Sequence, residues 1–129
     1  MRTIQIYRPP GKDPPIPAFF EGLDPKLRRK LKLQLFRLTQ ISMSDLKEPH
    51  FKHFSLEKYH QFYEMRERSK VLIRVIFTIT EDDVLLLVPF VKKQSRDSMQ
   101  ALEQALSMLA DVREHPERVT PYAFYKEDE

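Results

Sequence analysis

Residues 71–80 and 84–91 constrain this chain more than any other stretch. The first run is rich in β-branched residues and the second is almost wholly apolar. Both have strand length, and only Glu81, Asp82 and Asp83 separate them. Two such runs around a short polar tip specify an antiparallel hairpin. Residues 61–66 alternate just upstream and extend it to a three-stranded meander.

The flanks read as helices. Asp24-Pro25 is an N-cap followed by a proline at the first helical position. Leu27, Leu31, Leu35 and Leu38 then fall on one side of a helix to about Gln40. Lys26, Arg28, Arg29, Lys30 and Lys32 lie away from that stripe. Ser95 or Asp97 caps a last helix to about Arg113, with Met99, Leu102, Leu106 and Leu109 as its inner stripe. Near the start, residues 3–8 alternate as a strand, residues 8–15 form a Pro-rich turn, and a short helix over 16–21 stops at Gly22. Residues 41–60 carry no clean period and read as a long connection.

The resulting order is β-α-α-β-β-β-α. It implies an α+β fold with a mainly antiparallel sheet and helices packed on one face. Residues 1–115 form the domain, and 116–129 form an acidic tail in which Tyr122, Phe124 and Tyr125 are available for docking.

Composition narrows the function. The chain has 129 residues, which suits one domain, and only two glycines. Neither a Gly-rich dinucleotide loop nor a P-loop is present, and no G-x-S-x-G elbow exists. There is no cysteine, so thiolate metal sites, disulfides and Cys nucleophiles are excluded. The N-terminus lacks the apolar run of a signal peptide, and no stretch reaches the length of a membrane helix. A soluble cytoplasmic protein is expected, with no membrane partner. Net charge is +3, but it is uneven: from Asp111 onward three basic residues face six acidic ones, which leaves the preceding 110 residues at +6. A basic body points toward a polyanionic partner, and an ordinary solvated surface has the same composition.

Strand parity gives the sharpest local inference. Val71, Ile73, Val75, Phe77 and Ile79 share the face that packs on helices. Arg74 falls on the other face. If Tyr63 and Met65 point inward, Glu64 and Arg66 join it. The last strand delivers Lys92 and Lys93 to the rim. Arginine supplies a planar fork for phosphate and lysine a mobile charge, so this is an anion site in outline. The same spacing equally permits Arg66 to pair with Glu64 or Glu67, and Arg74 to form a cross-strand ion pair.

The succession Phe62-Tyr63-Glu64-Met65-Arg66, Ile73-Arg74-Val75-Ile76-Phe77, residues 84–88 and Phe90-Val91-Lys92-Lys93 resembles the RelE/ParE superfamily of type II toxins, in its HigB-like phage-derived subgroup. The resemblance covers roughly residues 1–112 and includes the Pro-rich turn, Phe19-Phe20-Glu21 and the Leu-rich helix. It implies the compact α+β toxin fold and inhibition of translation by mRNA cleavage, usually on the ribosome. It also implies a cognate helix-turn-helix antitoxin as partner.

Residue by residue, Arg66 matches the arginine of a Y-E-L-R motif, Arg74 that of a following Y-R, and Lys92 and Lys93 an F-V-K-K pair. Two positions depart: Ile73 replaces the tyrosine of Y-R, and Val88-Pro89 replaces a His-Gly. Arg66, Arg74 and Lys92 are the expected catalytic residues. Lys93, Arg68, Lys70, Lys58, Arg28 and Lys32 are the expected RNA-binding ones. RNA is cut by attack of its own 2′-OH on the adjacent phosphate, so neither a cofactor nor a metal is required. Lys92 serves as acid or base if neighbouring cations lower its pKa, and His53 or His60 is a further candidate. His50 and His53 have the i, i+3 spacing of a metal pair only on a helix, and no carboxylate completes the set. The competing reading keeps the fold without nuclease activity. It is a ParE-like gyrase inhibitor, or a decayed toxin that binds an antitoxin or nucleic acid.

Overall fold

The computed structural model describes residues 1–125. Its strands are β1 (Thr3–Tyr7), β2 (Phe51–His53), β3 (Tyr63–Arg68), β4 (Leu72–Ile79), β5 (Asp83–Lys92) and β6 (Val119–Pro121). Its helices are α1 (Pro15–Glu21), α2 (Pro25–Leu38) and α3 (Arg96–Glu114). The strands form one sheet in the order β2-β3-β4-β5-β1-β6. Among the described residues only the β1–β5 pair is parallel. This is the expected α+β architecture with a mainly antiparallel sheet.

The β4–β5 hairpin and its β3 neighbour form where the alternation places them. The Asp24 carboxylate accepts the N–H groups of Lys26 and Leu27, with Pro25 at the first helical position. All four leucines of the α2 stripe are buried against Ile73, Val75 and Phe77 of β4.

The helices do not share one face. α1 and α2 cover the side that carries Ile73, Val75, Phe77, Val84 and Leu86. α3 covers the opposite side, over Ile76, Leu87 and Val88. A register shift between Ile76 and Phe77 turns both Leu87 and Val88 toward that side and builds a second apolar patch. The even face of β4 is therefore open only toward one end. The α3 stripe differs as well: Ala101, Leu102 and Ala105 are buried, and Met99 is exposed. Small alanines let the helix approach the sheet closely, and Met99 faces away.

The 41–60 segment is more than a connection. It holds β2, two 3-10 turns at Met43–Asp45 and Glu57–Tyr59, and the buried side chains Leu46, Phe51 and Tyr59. Its strand is too short to leave a period in the sequence.

The sheet also continues past residue 115. β6 pairs with β1, Tyr122 packs on the core, and Phe124 is buried. The acidic end of the expected tail, residues 126–129, lies outside the described residues.

Candidate basic site at the sheet end

The cross-strand register builds the site. Arg66 stands directly opposite Arg74, and Arg74 is opposite Phe90. One same-face step toward the hairpin turn, Arg68 is opposite Leu72, which is opposite Lys92. One step the other way, Glu64 is opposite Ile76 beneath α3. Lys92 is thus a diagonal neighbour of Arg74, roughly 7–8 Å away at the backbone, within reach of two long side chains meeting on one anion. Lys70 lies in the β3–β4 turn, and Lys93 follows β5. Arg66, Arg68, Arg74 and Lys92 accordingly share one end of one sheet face, with Lys70 and Lys93 at its rim.

Two guanidiniums directly opposed repel each other. Glu64 offsets that repulsion. Its side chain is 1% exposed, and Oε1 accepts from Arg66 Nε at 3.0 Å. Arg74 Nε lies 3.4 Å from the same oxygen. That approach is not aligned for a hydrogen bond, and among the described residues Arg74 Nε is enclosed without another partner. Ser98 Oγ of α3 donates to Glu64 Oε2 at 3.4 Å. Arg66 Nη1 also donates to the exposed Glu48 at 3.1 Å. Both ion-pair alternatives left open by the spacing therefore exist, through one shared carboxylate. Burial pulls the Arg74 guanidinium below its ordinary value, Glu64 pushes it back up, and Arg66 and Arg68 add to the lowering. An arginine still keeps its proton under such a shift.

Asp97 ties the rim to α3. Its carboxylate accepts the backbone N–H groups of Lys93 and Gln94, which hold it below the usual carboxylate range. Ser95 makes no side-chain cap. The end of β5, with both lysines, is thereby anchored to the start of the helix.

Other expected residues lie elsewhere. Lys58 pairs with Glu103 of α3 at 2.9 Å. Arg28 and Lys32 line a groove on the outer side of α2 with Leu33, Phe36, Phe124 and Tyr125. His53 stacks on Tyr63, and His60 Nδ1 meets the Glu57 carbonyl, so neither joins the arginines. His50 does: it lines the same groove as Arg66, Arg68 and Arg74. Parity found the arginines and placed Glu64 beside them, but no spacing rule marks His50.

Fold and site together define a small α+β protein with a cluster of cations at one end of its sheet. A family model for the phage-derived Gp49-like proteins (DUF891) matches residues 18–110. The chain belongs to that family, a family of RelE-like, toxin-like proteins associated with toxin–antitoxin systems. Among curated proteins and among solved structures, none matches it.

Proposed function

We propose that this chain is the toxin of a type II toxin–antitoxin system, of the HigB-like kind, and that it inhibits translation by metal-independent cleavage of mRNA. The observation that carries this reading is the opposition of Arg66 and Arg74 at a sheet end that also gathers Arg68, Lys70, Lys92 and Lys93. In such a reaction the 2′-oxygen loses its proton and bonds to phosphorus. The bond to the 5′-oxygen breaks, and that oxygen takes a proton. Two fixed guanidiniums suit the charge that builds on the phosphoryl oxygens. Lys92, the diagonal neighbour of Arg74, is the group of this set cast as the proton carrier. mRNA, met on the ribosome in the cytoplasm, is the substrate, and a helix-turn-helix antitoxin is the partner.

The test is induction in a bacterial host with and without the neighbouring reading frame, with transcripts mapped by primer extension. Growth arrest with new mRNA 5′ ends, abolished in Arg66→Ala and Arg74→Ala, is the expected result. No growth effect at confirmed expression would sink the toxin reading.

The departures at Ile73, Val88 and Pro89 favour a second reading, in which the fold persists without nuclease activity. Ile73 and Val88 are buried core residues here and offer no proton. Arrest with intact mRNA and broken DNA would select gyrase inhibition.

A further inference from the structure

His50 sits where α2 meets the basic end of the sheet. Its carbonyl accepts the Arg66 backbone N–H at 2.8 Å, which continues the β2–β3 pairing. Its ring meets the side chain of Gln34, a buried residue of α2. The orientation of that amide is set from the other side. Arg37 Nη1 donates to Gln34 Oε1 at 2.9 Å, and a guanidinium can only donate. Gln34 Nε2 therefore points away from Arg37. It lies 3.1 Å from His50 Nδ1 and 3.2 Å from Glu67 Oε2.

An amide nitrogen has two hydrogens to give and accepts none. One goes to Glu67 and the other to His50. His50 Nδ1 is then an acceptor, and the proton of the neutral ring sits on Nε2. Among the described residues Nε2 has no hydrogen-bond partner, and His50 lines a groove of about 370 Å³ with Arg66, Glu67, Arg68, Leu72 and Arg74. A histidine of fixed tautomer thus lines the same groove as both arginines, and this does not require His53 or His60.

We propose that His50 is a phosphate-binding residue. It donates its Nε2–H to a non-bridging oxygen of the phosphodiester held by Arg66 and Arg74, with the tautomer imposed by Arg37 through Gln34. This rests on the RNA-binding reading above and deepens it. It gives His50 the role of neutral donor rather than base.

The experiment is nitrogen-15 spectroscopy of the histidine rings in the full chain, alone and with a 2′-O-methyl RNA trinucleotide that cannot be cut. The expected result is an Nε2-protonated tautomer for His50 in the free protein, with its Nε2 resonance moving on titration together with the Arg66 and Arg74 Nε signals. His50→Phe keeps a ring without the donor and should weaken trinucleotide binding about tenfold, the loss typical of one hydrogen bond to a charged group. His50→Gln restores a donor and should recover most of it, with thermal unfolding confirming that both variants fold. An Nδ1-protonated His50 overturns the proposal. So do arginine signals that move while His50 does not, or a His50→Phe variant that binds as wild type; each leaves the RNA-binding reading standing. If no signal moves, both are overturned.

Discussion

Arg66 and Arg74 stand directly opposite one another on adjacent antiparallel strands, and one buried carboxylate, Glu64, lies against both. Glu48 also pairs with Arg66, but Arg68, Lys70 and Lys92 add cations at the same sheet end and leave the cluster short of negative charge. An anion arriving at the groove relieves a repulsion that the fold itself maintains.

Glu64→Gln tests that relationship. Removing the charge leaves two partly buried guanidiniums facing each other, so the variant should lose on the order of 3 kcal/mol of stability. Sulfate should raise its melting temperature more than it raises that of wild type, because an anion bound only by the folded chain replaces the missing charge. Thermal unfolding with and without sulfate measures both effects. A variant that melts like wild type and ignores sulfate would mean the three groups are not coupled.

The two arginines should separate under substitution. Arg66 makes the aligned bond to Glu64 and a second one to Glu48, whereas Arg74 has no aligned bond to a carboxylate. Arg74→Met keeps the stem volume, removes the like-charge opposition, and leaves Glu64 paired. It should cost no more than about 1 kcal/mol, and Arg66→Met about 2 kcal/mol more, since it strips Glu64 of its bonded partner. Urea unfolding gives the difference. Trinucleotide binding should fall in both, which separates function from folding.

Strong periodicity makes much of this fold legible from sequence. The α2 leucines, the Asp24 cap and the β4 alternation from Ile73 to Phe77 each follow a local rule and are where that rule puts them, whereas Val71 lies before β4 and is exposed. That Arg66 and Arg74 share a face also follows from parity once Met65 points inward, as it does. What stays hidden is not local. The register shift beside Ile76 cannot be read from a run that is apolar at every position, so neither the second apolar face nor α3 above it is legible there. β2 and β6 are three residues each, too short for a period of two to show. His50 joins the site through Gln34 on a helix sixteen positions upstream, an approach only the packing of α2 creates.

A second network should set the pH range of stability. Asp111 of α3 accepts from Tyr7 of β1 at 2.5 Å and from Arg118 at 2.6 Å. These bonds hold its carboxyl below the usual range. Its contribution is then complete above the ordinary aspartate value of about 4 and disappears as pH falls toward the depressed folded value. Burial, with Asp111 beside it, raises the Tyr7 hydroxyl, so that group stabilises below about 10 and ceases to as pH climbs through its folded value. Asp111→Asn should flatten the acid limb of a stability–pH curve measured by urea unfolding. An unchanged acid limb would remove Asp111 from the account.

The basic residues divide into two surfaces, and only one should meet RNA at the cluster. Arg68 and Lys70 belong to the sheet end with Arg66 and Arg74, whereas Arg28 and Lys32 line the outer side of α2 on the other side of the sheet. Arg68→Ala and Lys70→Ala should each weaken trinucleotide binding. Each should also shallow its dependence on salt, by about one unit of slope for every phosphate no longer neutralised. Arg28→Ala and Lys32→Ala should leave both quantities unchanged, because a trinucleotide seated at the sheet end does not reach the groove on the outer side of α2. Binding titrations at several salt concentrations decide it. Equal effects from the two pairs would mean that the chain attracts RNA over its whole basic surface, with no seat at Arg66 and Arg74.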